Sequence, residues 1–281
     1  MNILKINQTF CSPDSFQDRC VDILCGNPGV FNASCKSILI DIYNDMRKNI
    51  NCDQYKIYDN AKGCHIHNKI NISSISKNGN IYAGHDLPVW LNNPEEADWR
   101  VMVISQDPRR DDEEMGNGKY EIGISSPFGL HSQKWRSNKT KGFVHWLFLE
   151  LFRDYEKMSV YYTDIYKLRG VGSNSTLDDT NINIYKKILL QEIELFNPNI
   201  VLLMGDKAQK AYKDVMTNVT TTIKPVKVET PHPNARVRKD DKHWGKYKMQ
   251  KFDIKSKIEK IKEEFSEIIN NNSSLKIQYT A

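Results

Sequence analysis

Arg100-Val101-Met102-Val103-Ile104-Ser105-Gln106-Asp107-Pro108-Arg109 is the stretch on which the reading of the chain turns. Its four consecutive apolar residues, Val101 to Ile104, predict a strand buried on both faces, as in a parallel sheet. Ser105 and Gln106 end that strand. Asp107-Pro108 then forces a turn, because proline has no N–H to donate and fixes its own φ. A carboxylate is thereby held at the carboxyl end of a central strand, where open α/β sheets place their ligand crevices. A solvated acid in an Asp-Pro turn is the commoner meaning of such a dipeptide, and only the residues further along decide against it.

Downstream, strands and helices alternate. Lys141 to Arg153 reads as an amphipathic helix and Ser159 to Ile165 as a second strand. Asn181 to Phe196 is a predicted helix stopped by Asn197-Pro198. Asn199 to Met204 is a third strand, which Gly205 turns into a helix over 206–216. Lys224 to Glu229 is a fourth strand, broken by Pro231-His232-Pro233. Residues 251–270 form a charged helix with Ile254, Ile258, Ile261 and Phe265 on one stripe. Upstream of the opening stretch, Pro88 to Leu91 is a short apolar segment. The stretches 111–119 and 123–130 read as irregular. Four strands alternating with helices predict an α/β fold: a three-layer α/β/α core around a central four-stranded, mostly parallel sheet.

Residues 1–80 have a different character. All six cysteines fall there, with a helix over 34–50. Cys25, Cys35, Cys64 and His67 are the donors a zinc ion would take, but there is no C-x-x-C pair and the spacing matches no common zinc knuckle. Free thiols and no metal are therefore expected. The expected division is a cysteine-containing N-terminal extension of unknown role over 1–80, a core domain over 81–250, and a C-terminal helix and tail over 251–281.

The chain has 281 residues, 39% hydrophobic and 27% charged, enough for a sizeable core. It shows neither an apolar run of membrane-spanning length nor a signal-peptide h-region, and unpaired cysteines fit a reducing, cytoplasmic compartment. A net charge of +5 permits a nucleic-acid partner without requiring one. The chain lacks G-x-G-x-x-G, G-x-x-x-x-G-K-[ST] and G-x-S-x-G, which counts against dinucleotide, P-loop and α/β-hydrolase readings.

Asp107, Phe128, Asp164 and His232 lie just after predicted strands or in adjoining loops, so one sheet edge can collect them. Their order resembles the uracil-DNA glycosylase superfamily. Ser105-Gln106-Asp107-Pro108 is similar to its Gly-Gln-Asp-Pro turn, and Ser126-Pro127-Phe128-Gly129 to its Pro-Phe segment. Val160 to Ile165 resembles the strand that ends in the base-reading residue. Val201 to Gln209 resembles the strand, glycine turn and Ala-Gln helix, and Pro231-His232-Pro233-Asn234 the final His-Pro-Ser motif. The resemblance covers about residues 85–250.

The resemblance implies a DNA glycosylase that flips a base out of the stack and cuts its N-glycosidic bond. Asp107 would stabilise the sugar cation and orient water, and His232 would stabilise charge on the departing base. Gln106, Phe128 and Asp164 would bind the base, Phe128 by stacking and Asp164 by reading its edge. Asn234, Arg236, Arg238 and Lys239 would contact DNA through the loop that wedges into the duplex. No cofactor is implied, no lysine Schiff base is invoked, and the partner is DNA, met by a monomer. The cysteines do not fall where the superfamily's iron–sulfur members carry theirs.

Two departures bear on the substrate. Arg109 stands where uracil-specific members carry a tyrosine that excludes a substituent on base carbon five, and Asp164 where they carry asparagine. An ionised carboxylate only accepts hydrogen bonds, so it suits the N4 amino group of cytosine and opposes the O4 carbonyl of uracil. The expected substrate is a 5-modified cytosine such as glucosylated hydroxymethylcytosine in phage DNA, with Arg109 and Arg110 lining a pocket for the substituent. The alternatives are a uracil-repair glycosylase and a non-catalytic DNA-binding member of the fold.

Overall fold

A computed structural model describes residues 14–27, 30–51, 64–66, 83–106, 108, 122–129, 155, 157–170, 181–217, 223–232 and 254–272. Residues 100–105 of the opening stretch lie in β4 (Trp99–Ser105), at the centre of a five-stranded sheet. Its neighbours are β3 (Val89–Leu91), β6 (Met158–Asp164), β8 (Ile200–Met204) and β9 (Val226–Thr230), in the order β3-β6-β4-β8-β9. Strands β6, β4, β8 and β9 run parallel, and β3 closes one edge antiparallel to β6. The four parallel strands are those expected from the sequence. The edge strand is an addition, because three apolar residues carry no periodicity that identifies a strand.

Val101, Met102, Val103 and Ile104 are fully buried, which requires cover on both faces of the sheet. Pleating sends Met102 and Ile104 to one face and Val101 and Val103 to the other. The first face is covered by α1 (Asp14–Cys25), α2 (Lys36–Asn51), α3 (Ile182–Phe196) and α4 (Asp206–Thr217). The second is covered by α5 (Ile254–Asn271), through Ile261, Phe265 and Ile269. Helix α3 ends where Asn197 adopts a left-handed conformation (φ 49°, ψ 64°) and its N–H caps the Ile193 carbonyl at 2.8 Å. This is the three-layer α/β/α arrangement.

The N-terminal helices belong to the same core as the sheet. Phe16 of α1 meets Trp90 edge-on at 4.8 Å between ring centroids, and Tyr43 of α2 donates to the Pro88 carbonyl at 2.8 Å. Cys20 and Cys35 are buried thiols, and Cys25 is half-buried.

A second sheet has the order β1-β5-β2-β7, with β1 (Cys64–Ile66), β2 (Ala83–Asp86), β5 (Ile122–Ser125) and β7 (Arg169–Gly170). Strand β5 occupies part of the stretch expected to be irregular. Four residues interrupted by Gly123 give no alternation to read, and cross-strand pairing decides the conformation instead. The helix expected over 141–153 lies outside the described residues. No helix among the described residues is long and apolar enough to cross a membrane.

Candidate active site

The parallel strands all end at one sheet edge. In chain order β4, β6, β8 and β9 are first to fourth, but in space they run second, first, third, fourth. The order therefore reverses at β4, and a doubly wound sheet opens its crevice outside the carboxyl ends of the strands at such a switch point. Asp164 flanks that crevice as the last residue of β6. His232 flanks it from the far side, two residues beyond β9.

Asp164 is 2% exposed and shares a sheet face with Val160 and Tyr162. Its register partner on β4 is Ser105, and the Ser105 hydroxyl donates to Asp164 Oδ1. Beyond the strand ends, the Ile165 N–H donates to the Ser105 carbonyl and the Tyr166 N–H to the Gln106 carbonyl, both at 3.0 Å. These bonds carry the β4–β6 ladder onward. They fix half-buried Gln106 against the loop that follows Asp164.

His232 is placed by a glycine. Gly205 has φ +90°, its N–H donates to the Thr230 carbonyl at 2.8 Å, and a Cβ there would lie 3.3 Å from His232 Cβ. The same carbonyl accepts from Gln209 Nε2 at 3.1 Å. The glycine turn and the glutamine of α4 thus hold the end of β9, from which His232 emerges half-buried beyond buried Pro231.

Phe128 sits in a 3-10 turn, Pro127–Gly129, directly after β5. Its backbone is left-handed (φ 57°, ψ 15°), which for a bulky residue costs about 1–3 kcal/mol and concentrates at functional sites. The half-buried side chain packs against the apolar cluster that contains Tyr162 and Val160. Phe128 and Asp164 therefore lie on the same face of the sheet.

Beneath Asp164, on the opposite face of β6, is a buried polar knot. Lys167 Nζ bonds Glu192 Oε1 at 2.8 Å, Glu192 Oε2 at 2.7 Å and Thr163 Oγ1 at 2.6 Å, while Thr163 Oγ1 donates to Glu192 Oε2 at 2.9 Å. Both charged side chains are 1% exposed. Burial pushes the Glu192 carboxyl up, opposed by the Lys167 ammonium and by hydrogen bonds from Lys167, Thr163 and Tyr161. The Lys167 carbonyl lies 2.5 Å from Nδ1 of fully buried His85 on β2. One residue thus ties the loop after Asp164 to α3 by its side chain and to the second sheet by its backbone.

Of the residues expected from the sequence, Gln106, Phe128, Asp164 and His232 are described. Strand order brings Gln106, Asp164 and His232 to one edge of the five-stranded sheet, and Phe128, which follows β5 of the second sheet, packs on the same face as Asp164. Asp107, Arg109, Arg110, Asn234, Arg236, Arg238 and Lys239 lie outside the described residues, as does His67. Sequence reasoning misses Ser105 as a partner of Asp164, and the Lys167–Glu192–Thr163 knot. Both leave a signal. Ser105 stands where the resembled motif has glycine, and Glu192 interrupts the apolar stripe of Ile188, Leu189, Ile193 and Phe196 on α3.

No curated protein matches the chain. A family model described as the Uracil DNA glycosylase superfamily matches residues 94–258, more than half of the chain and all four parallel strands. Members of that superfamily are DNA N-glycosylases, and by this match the chain belongs to the uracil-DNA glycosylase superfamily.

Proposed function

We propose that the protein is a monofunctional DNA glycosylase that excises a 5-modified cytosine, such as glucosylated hydroxymethylcytosine in phage DNA, and leaves an abasic site. The observation that carries the base assignment is a buried aspartate, Asp164, at the end of β6 where uracil-specific relatives use an amide. A carboxylate accepts from the N4 amino group of cytosine, and a site built on such bonds rejects the wrong base by roughly 10⁴ or more.

The chemistry is a hydrolysis. The C1′–N1 bond breaks towards an oxocarbenium-like sugar, water supplies a hydroxyl to C1′, and the base leaves with a proton. Asp107 stabilises the sugar cation and orients the water. His232 stabilises charge on the departing base, and Phe128 stacks on the flipped ring. Arg109 and Arg110 line the space for the carbon-five substituent, and Asn234, Arg236, Arg238 and Lys239 meet DNA. Discrimination through the substituent spares ordinary cytosine.

The test is mass spectrometry of bases released from otherwise identical DNAs carrying uracil, cytosine, hydroxymethylcytosine or its glucosylated forms. Release of a modified cytosine in preference to uracil is the expected outcome. Preferential uracil release makes the protein a repair glycosylase. DNA binding with no release from any of them makes it a non-catalytic member of the fold.

A further inference from the structure

We infer that Ser105 is a positioning residue that sets base selectivity by holding the carboxylate of Asp164. The inference rests on the proposed reading that Asp164 meets the base edge. Residue 105 departs from the superfamily's motif, serine for glycine, and residue 164 from that of uracil-specific relatives, aspartate for asparagine, and the fold brings the two departures into contact. They are register partners on adjacent parallel strands, on one face of the sheet, 5% and 2% exposed, with the Ser105 hydroxyl donating to Asp164 Oδ1.

The physical consequence is directional. A carboxylate turns easily about its last torsion, and a fixed donor on one oxygen selects one orientation of the group. Glycine has no hydroxyl to do this. An asparagine beside Ser105 would be oriented too, but unhelpfully. A hydroxyl donating to the amide oxygen would turn that oxygen towards residue 105, whereas a uracil reader needs it aimed at N3–H with its NH₂ at O4. Serine with aspartate is a matched pair for an amino-bearing base, and glycine with asparagine a matched pair for uracil. Exchanging one member alone gives a mismatch.

The experiment uses the full chain and single-stranded oligonucleotides carrying uracil, cytosine, hydroxymethylcytosine or glucosylated hydroxymethylcytosine, so that unpairing does not enter. Wild type, Ser105→Ala, Ser105→Gly, Asp164→Asn and both double variants are compared by single-turnover release, DNA affinity and thermal unfolding. Loss of the hydroxyl is expected to lower release of the preferred base about tenfold, the worth of one buried hydrogen bond, and to narrow the preference between bases. DNA affinity should change little, and the unfolding temperature should fall by only the few degrees that one lost buried hydrogen bond costs. Ser105→Gly with Asp164→Asn should release uracil about tenfold faster than Asp164→Asn alone. Ser105→Ala added to Asp164→Asn should not repeat its effect in the wild type, because its target has gone.

Wild-type release rates and ratios in both folded Ser105 variants would overturn the inference. So would effects of the two positions that simply multiply. If instead the wild type prefers uracil, the modified-cytosine assignment fails, but the coupling between 105 and 164 is still read on uracil. Coupling there keeps Ser105 as the positioning residue, and its absence removes it.

Discussion

At the scale of single residues, the proposed mechanism is tested at Asp107 and at Phe128, whose backbone is strained. Asp107→Asn should bind DNA normally yet lose most base release, because in the proposed mechanism its charge serves the sugar cation more than the bound ground state. Near-normal single-turnover release would remove Asp107 from the mechanism. Phe128 gives a second test, because its left-handed backbone favours glycine. Phe128→Gly relieves that strain while deleting the half-buried ring. Its unfolding free energy should fall by less than the ~3–5 kcal/mol typical of removing a core phenylalanine. Base release should nevertheless drop steeply, since nothing stacks on the extruded base. A variant that is severely unfolded, or fully active, contradicts this account.

At the scale of elements, two fastenings hold the loops at the sheet edge. Gly205 joins the end of β8 to the end of β9 at a φ that L side chains rarely adopt. Gly205→Ala should cost about 1–2 kcal/mol in backbone strain. It should also slow release, because the new Cβ would press on His232 Cβ at 3.3 Å. Urea unfolding and single-turnover kinetics check both parts. The Lys167–Glu192 pair is the other fastening. Lys167→Met leaves a buried carboxyl without its cation and should destabilise by about 3–5 kcal/mol. Lys167→Met with Glu192→Leu removes both charges and should recover most of that loss, since apolar replacements of a buried pair are often neutral. A double variant as unstable as the single one would mean that packing, and not the uncompensated charge, sets the cost.

At the scale of the whole molecule, α1 and α2 lie outside the matched family region, yet they cover one face of its sheet. Phe16, Val21, Leu24, Leu39, Tyr43 and Met46 are all buried in that contact. At roughly 1.5–3 kcal/mol for each buried side chain, their loss is comparable with the ~5–15 kcal/mol that keeps a domain folded. Deleting residues 1–80 should therefore give an insoluble or molten product, with Trp90, Tyr161 and Phe196 uncovered. A soluble 81–281 fragment with cooperative unfolding would show that the helices are dispensable.

The sequence by itself determined the elements whose signal is local. The run Val101–Ile104 reads as a strand buried on both faces, Asn197-Pro198 stops α3, and the stripe on α5 faces the core. Alternation of these elements sufficed for the α/β class, and the order of short motifs pointed to the superfamily that residues 94–258 match. What depends on pairing between distant segments was left to the tertiary structure. Strands β3 and β5 are too short to show a period and exist because β6 and β2 pair with them. The N-terminal helices join the core because Trp90 and Tyr161 need cover. The contact of Ser105 with Asp164 follows from parallel register across 59 residues of separation, a relation that no local pattern encodes.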